Sequence, residues 1–217
     1  MGVLSVPRRL SVATARAVWR PCEPLERILG GLLFLASLPI LLPAAAIVVL
    51  LSRRSPFVAH RRLGRHGSEL WVLKLRTMWN SPHSGFHFVE RVPDQPEISY
   101  KPKSDPRVTS RFAAFCRRYS IDELPQLLQV ARGELSLIGP RPITAAEFDR
   151  YYAQTSPEIL SVKPGVTGLW QVKGRSRLTY SQRRRLDAFF TRKLSLSLYL
   201  YILLRTPLCV LEGRDAW

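Results

Sequence analysis

Cysteine is scarce and unpaired in this sequence: Cys22, Cys116 and Cys209 are odd in number, far apart and never in a CxxC pair. That pattern excludes a disulfide framework and reads as free thiols in a reducing compartment. Histidine is nearly as rare. His83 and His87 lie in a Ser-, Gly- and Pro-containing stretch with no Cys or acidic partner nearby, which is poor material for a zinc site. Acidic residues are also few, 16 Asp and Glu against 33 Lys and Arg, giving a formal net charge of +17. Such a surplus favours anionic partners, whether nucleic acid, anionic lipid headgroups or phosphate-bearing molecules. The basic residues run along almost the whole chain, so charge alone does not choose among them. No internal repeat, Walker motif or GxGxxG is present. The apolar fraction of 46% speaks against wholesale disorder.

What the chain does have is a long apolar run. Residues 28–51 contain no charged side chain, which meets the length of about 20 residues needed to cross a bilayer. The run is too long, and its N-terminal flank too extended, for a cleaved signal peptide. Two features oppose a plain spanning helix. Arg8, Arg9, Arg16, Arg20 and Arg27 precede it and Arg53, Arg54, Arg61, Arg62 and Arg65 follow it, so the positive-inside rule places both ends on the cytoplasmic face. Pro39 and Pro43 fall inside the run, where each removes a backbone donor and bends a helix; the Ser37 hydroxyl can take up a freed carbonyl. These features suggest a helix that enters the membrane, breaks near Ser37 and Pro39, and returns. By sequence physics alone the re-entrant and spanning readings stand level. Residues 1–20, with four arginines among small and apolar residues, suit an anionic lipid surface.

Beyond Ser55-Pro56 the pattern becomes that of a small mixed domain. Phe57-Val58-Ala59 and Leu70-Trp71-Val72-Leu73 read as strands of a hairpin turning at Gly64-Arg65-His66-Gly67. Residues 80–104 read as a long loop. Helices are expected at 109–118, with Phe112 and Phe115 on one face, and at 147–153. A third is expected at 181–194, with Leu186, Phe189, Phe190 and Leu194 on one face and Arg183, Arg184 and Arg185 opposite. Residues 195–211 are apolar but interrupted by Arg205 and Pro207, which suits an interfacial or core helix.

The chemistry concentrates in residues 105–142. Asp122 and Glu123 are adjacent, with arginines on both sides in sequence. One carboxylate to attack and one to hold a divalent cation, among guanidinium groups, suits phosphoryl transfer. Ser120 and Glu123 fit a capping box that places the pair at a helix N-terminus, where an ionised carboxylate is favoured; Pro125 complicates the register. Gly133 supplies a stop.

Five blocks carry a resemblance: Lys74-Leu75-Arg76-Thr77-Met78; Asp105-Pro106-Arg107-Val108-Thr109; Arg117 with Ser120-Ile121-Asp122-Glu123-Leu124-Pro125-Gln126; Ser136-Leu137-Ile138-Gly139-Pro140-Arg141-Pro142; and Lys163-Pro164-Gly165-Val166-Thr167-Gly168 running on to Gly174-Arg175. In this order the chain resembles the bacterial sugar transferases that act on polyprenyl phosphate, the monotopic phosphoglycosyl transferases. The resemblance implies an α/β, mostly α fold: a re-entrant membrane helix plus a small cytoplasmic catalytic domain with interfacial amphipathic helices. The expected division is a basic surface segment at 1–27, a helix-break-helix at 28–52 and the transferase domain at 53–217, on the cytoplasmic face of the bacterial inner membrane.

The implied reaction moves a sugar 1-phosphate from a UDP-sugar to undecaprenyl phosphate, releasing UMP through a phosphosugar-aspartate and initiating a lipid-linked glycan. Residue by residue, it makes Asp122 the nucleophile and Glu123 a ligand of Mg2+. Arg117 and Arg141 match phosphate-binding arginines, Asp187 an acidic position of the site, and Lys74, Arg107 and Arg175 further substrate contacts. The glycines and prolines of Gly139-Pro140-Arg141-Pro142 and Pro164-Gly165 read as turn-formers that aim neighbouring arginines. Departures from the pattern fall at Arg27 and Tyr199, where acidic residues are usual, and at His60, where a glutamine is. The sugar, the glycan and any homo-oligomer stay open. The competing readings are a membrane-anchored nucleic-acid-binding protein and a scaffold without catalysis. The first lacks helix-turn-helix spacing or an RNA-binding signature and sets an acidic pair where a phosphate backbone would lie; the second requires the acidic pair to be only a cap.

Overall fold

A computed structural model describes residues 23–79, 86, 88, 89, 108 and 110–213. The N-terminal segment 1–20, Cys22, His83, His87 and most of the expected loop at 80–104 lie outside them. The described chain opens with α1 (Glu23–Ser52), a 30-residue helix that includes both Pro39 and Pro43. The hairpin follows as β1 (Phe57–Leu63) and β2 (Glu69–Leu75), antiparallel from Phe57 opposite Leu75 to Leu63 opposite Glu69. Its turn uses His66 and Gly67 in left-handed conformations, φ 60° and 78°. A two-residue strand, β3 (Phe88–Val89), pairs parallel with β1 inside the stretch expected to be loop.

Then come α2 (Arg111–Arg118), a short 3-10 turn at Ile121–Glu123, α3 (Gln126–Arg132) and β4 (Ser136–Ile138). Next are α4 (Ala145–Tyr151), β5 (Gly165–Thr167), α5 (Leu169–Lys173), α6 (Tyr180–Arg192) and α7 (Leu196–Glu212). The fold is thus mostly helical with two small sheets, as the α/β expectation had it.

Helix α1 does not stand apart from the domain. Glu26, Gly30, Ser37, Leu41, Ala44, Ala45 and Val48 form a buried stripe at helical spacing. Its N-terminal half packs on the main core through Leu29; its C-terminal half joins Leu75, Cys116, Phe112 and Leu124 in a second core. At Gly30 the approach to α3 is so close that a Cβ would lie 2.6 Å from Val130 Cγ1. The opposite face is bare leucine and isoleucine: Leu25, Ile28, Leu32, Leu35, Leu42 and Leu50 are all more than half exposed. The helix continues through both prolines, so the expected interruption near Ser37 and Pro39 is not a gap in it. Ser37 Oγ does donate to a backbone carbonyl, that of Phe34, at 2.7 Å. Pro39 frees the neighbouring carbonyl of Leu35, so the serine eases the turn without replacing the lost bond.

The start of α1 is anchored by charge. Glu23 pairs with Arg65 and Lys163 at 3.5 and 3.2 Å. Glu26, buried, accepts from Ser136 Oγ (2.6 Å), the Leu137 backbone N–H (2.7 Å) and Tyr199 Oη (2.8 Å). An acidic residue thus stands one position before Arg27, and Tyr199 is its partner. Arg27 instead reaches outward to the carbonyl of Ala131.

One expectation about helix faces needs correcting and another holds. On α6, Arg183 and Asp187 are buried while Phe189 is half exposed, because Arg183 stacks on aromatic rings inside the domain. On α2, Phe112 and Phe115 do share one face, their ring centroids 6.4 Å apart, with Phe115 half exposed. Helix α7 buries Tyr199 and Ile202 and leaves Leu196, Leu200, Leu204, Leu208 and Leu211 exposed, a stripe at i, i+4 spacing that suits an interface.

Candidate active site

The site is built on the outer edge of β2. Among the described residues that edge has no strand neighbour; the side-chain amide of Gln129, from α3, takes the place of one. Its Oε1 accepts from the Leu73 N–H at 2.8 Å, and its Nε2 donates to the Trp71 carbonyl and to Glu134, both at 2.7 Å. Gln129 is almost fully buried, so these bonds lock α3 to β2 in one register. That register brings Lys74, on β2, to the residues just ahead of α3: its Nζ donates to Glu123 Oε1 at 2.8 Å.

Asp122 and Glu123 lie in the 3-10 turn, not in the helix itself. The capping box expected of Ser120 and Glu123 is absent. Ser120 is in a left-handed conformation, φ 56°, and makes no side-chain cap. Its hydroxyl accepts from Arg175 Nη2 at 2.9 Å instead. Arg175 is itself left-handed, φ 46°. Two non-glycine residues held in a sparsely populated conformation and bonded to each other flank the acidic pair, a strain typical of functional sites.

Asp122 is buried rather than water-exposed. Burial pushes its carboxyl up to about 6 against the pull of Lys74; Glu123 adds to the rise and Arg117 opposes it. The ionised form is thus favoured less than a helix N-terminus would favour it, and Lys74 and Arg117 are what keep it accessible at neutral pH. Burial also works against ionised Glu123, but there the cations win: Lys74, by charge and hydrogen bond, with Arg141 and Arg175, holds it below the usual glutamate range.

Arg141 links this pair to a second cluster. It follows β4 and the adjoining Gly139, which meets Gly165 and Gly168 at backbone distance: a Cβ at Gly139 would sit 2.6 Å from the Gly165 nitrogen. The glycines here serve close strand approach as well as turning, and that approach sets where Arg141 emerges. The guanidinium groups of Arg141 and Arg183 each lie 5.2 Å from the Trp170 ring centroid, and Arg183 also lies over Tyr180 at 5.6 Å. Arg62 belongs to the same group: burial lowers it to about 10, with Glu147 raising it and Arg141 lowering it further. Arg141, repelled by both Arg62 and Arg183, makes this side of the site a place prepared for an anion.

Asp187 lies within this cluster, one turn after Arg183. It is 1% exposed, accepts from Tyr152 Oη at 3.3 Å, and its Oδ1 has no partner among the described residues. Burial pushes it up to about 7, opposed by the Tyr152 hydrogen bond and by Arg141.

Of the residues singled out from sequence, the structure gathers Lys74, Arg117, Asp122, Glu123, Arg141 and Arg175 around one turn, and sets Asp187 on the far side of Arg141. Arg107 lies outside the described residues; Ser37 and Pro39 lie in α1. Sequence reasoning passed over Glu26, Arg62, Gln129, Tyr152, Trp170 and Arg183. Only Arg183 carried a signal: it stands four residues before Asp187, on the same helix face.

A sequence profile described as "Bacterial sugar transferase" matches residues 22–213. A UDP-galactose-lipid carrier transferase of Erwinia amylovora is 37% identical over 190 residues, covering 84% of this chain and 39% of the relative. The exopolysaccharide production protein ExoY of Rhizobium meliloti is 36% identical, covering 82% of this chain and 80% of the relative. A UDP-glucose:undecaprenyl-phosphate glucose-1-phosphate transferase of Caulobacter vibrioides is 35% identical, covering 97% of this chain and 82% of the relative. The chain thus spans about two fifths of the Erwinia protein but four fifths of the other two.

Proposed function

The chain belongs to the bacterial sugar transferase family, and on that premise we propose that it transfers a sugar 1-phosphate from a UDP-sugar to undecaprenyl phosphate, initiating a lipid-linked glycan. The observation that carries the reading is the turn at Ile121–Glu123, where a buried aspartate and a lysine-paired glutamate stand among Arg117, Arg141 and Arg175.

In the first step an Asp122 carboxylate oxygen attacks the β-phosphorus of the donor. The bond from that phosphorus to the bridging oxygen breaks, and UMP leaves with the electron pair. A carboxylate near 6 is still mostly ionised at neutral pH, and is more basic, hence more nucleophilic, than an exposed aspartate. Lys74 and the arginines offset the charge of the diphosphate as it divides. In the second step a phosphate oxygen of the lipid attacks the same phosphorus. The bond to Asp122 breaks, the carboxylate is restored, and the lipid carries a diphosphosugar.

Glu123 fits a magnesium ion. Among the described residues no group of three or more His, Cys, Asp or Glu gathers to hold a metal. An ion here would take this carboxylate and phosphate oxygens of the substrate, the habit of Mg2+, and would supply neutralisation of the diphosphate charge.

Helix α1 is long and apolar enough to cross a membrane. Its contacts favour the re-entrant reading over a plain crossing. Glu26 near one end and Val48 near the other are both buried against the same domain, whereas the leucines of the opposite face are bare. With the basic flanks and the apolar stripe of α7, this supports a domain seated on the cytoplasmic face of the inner membrane, on anionic lipid, with α1 and α7 immersed.

The test is UMP release by the protein in nanodiscs with Mg2+ and undecaprenyl phosphate across a panel of UDP-sugars, beside Asp122→Asn. One donor should release UMP and the variant none. Withholding the lipid should leave a phosphosugar adduct on the wild type by intact mass. Release without an adduct would replace the two-step mechanism by direct transfer, and no release with any donor would remove the reading.

A further inference from the structure

Beside the acidic pair lies a cleft of about 170 Å³. Ser120, Glu123, Thr167, Gln171, Arg175 and Thr206 supply its polar lining. The rest is largely apolar: Leu124 and Leu127 from α3 and its approach, Val166 from β5, Val172 from α5, and Cys209 and Val210 from α7. We propose that this cleft between α3, α5 and α7 receives the phosphate and first isoprene unit of a prenyl phosphate, with Arg175 as the phosphate contact. The assignment rests on the transferase reading and adds to it the place and orientation of the acceptor.

Three observations converge on an occupant with an anionic head and an apolar tail. The first is Arg175. One nitrogen, Nη2, is spent on the Ser120 hydroxyl, while Nη1 is buried with no partner among the described residues. An unpartnered guanidinium N–H is costly to bury, and an anionic oxygen satisfies it. The left-handed backbone at both Arg175 and Ser120 shows that this costly arrangement is held in place by its surroundings.

The second is the lining. A soluble sugar nucleotide offers a diphosphate, a ribose and a sugar, all of which require polar partners. Leu127, Val166, Val172 and Val210 offer none, but they match a branched hydrocarbon chain.

The third is continuity. Helix α7 lends Thr206, Cys209 and Val210 to the cleft, and the residues between and beyond them, Leu204, Leu208 and Leu211, are at least half exposed. One helix therefore carries both a cleft wall and the apolar face that suits the bilayer, so a lipid tail can pass from one to the other without crossing water. The arginines then divide the work. Arg62, Arg141 and Arg183 face the donor side, and Arg175 faces the acceptor.

The test separates the half-reactions. Val172→Trp and Cys209→Trp fill the cleft. Adduct formation from the UDP-sugar without lipid is expected to stay within twofold of wild type, while KM for undecaprenyl phosphate rises at least tenfold. An unchanged KM, or equal loss of both half-reactions, overturns the assignment. A second measurement needs no variant and no turnover. N-ethylmaleimide labelling of Cys209 in the wild-type protein, mapped by peptide mass spectrometry, should slow at least fivefold with farnesyl phosphate and not with inorganic phosphate or UDP. Equal labelling in all three overturns it. Were the transferase reading itself to fail, the wild type would release no UMP from any donor, while farnesyl phosphate protection would still report on the cleft.

Discussion

The phenol of Tyr199, in the last helix, donates to the carboxylate of Glu26, in the first, at 2.8 Å. The same oxygen takes the Ser136 hydroxyl and the Leu137 N–H, so one buried acid ties the first and last of these helices to β4, the strand that leads to Arg141.

Glu26→Ala leaves three buried donors without an acceptor, at about 1–3 kcal/mol each. The thermal midpoint is expected to drop sharply. Tyr199→Phe removes one bond and is expected to cost about 1 kcal/mol. In a double-mutant cycle the two effects should be clearly less than additive. Additive losses would mean that the bond carries no energy of its own.

Lys74 is the cation bonded to Glu123 and the leading attractive influence on Asp122. Lys74→Met is expected to lower kcat by about 10²-fold, the order found when a preorganised charge partner is removed. Lys74→Arg should recover part of the loss. A kcat within threefold of wild type in the Met variant would reduce Lys74 to a structural ion pair.

Asp187 gives the folding equilibrium a pH dependence. Held up to about 7 by burial, it keeps a proton that the unfolded chain releases near the ordinary aspartate value of about 3.9. Between those values the folded state binds more protons, so rising pH destabilises it by up to about 1.4 kcal/mol per unit, and the effect levels off above 7. Asp187→Asn cannot titrate. The difference in thermal midpoint, wild type minus variant, should therefore fall from pH 4 to 7 and then stay flat. A difference that grows with pH would mean that Arg141 and Arg183 keep Asp187 ionised.

The crossing of α1 and α3 leaves no room at Gly30, where an added Cβ would meet Val130 Cγ1 at 2.6 Å. Gly30→Leu should destabilise by about 1–3 kcal/mol through overpacking, and, because α3 follows directly on the acidic turn, lower activity with it. At Gly31 a Cβ would meet only Ala131 Cβ at 3.8 Å, so Gly31→Ala should be neutral or slightly stabilising. Equal effects from the two would show that α1 sits differently on the domain.

Much of the site was legible locally. The adjacency of Asp122 and Glu123, the hairpin at β1 and β2, the long apolar run and the stop at Gly133 are written in neighbouring residues, because turn chemistry and apolar length are short-range properties. The misreadings had a common origin. Ser120 has the residue type of a cap, yet it serves Arg175, 55 positions away. Arg183 has the residue type of a surface, yet aromatic rings from α5 and its own helix draw it inside.

The sequence by itself determined that a basic chain with one long apolar segment carries an acidic pair fit for phosphoryl chemistry. Only the tertiary structure decided that Asp122 is buried, that Lys74 belongs to Glu123, that Glu26 holds α1 and α7 to the domain, and that a cleft lies at Arg175. The physical reason is distance along the chain. Burial, ion pairing and the shape of a cleft depend on which remote segments meet, and those meetings are set by the packing of α1, α3 and α7, not by any window of neighbouring residues.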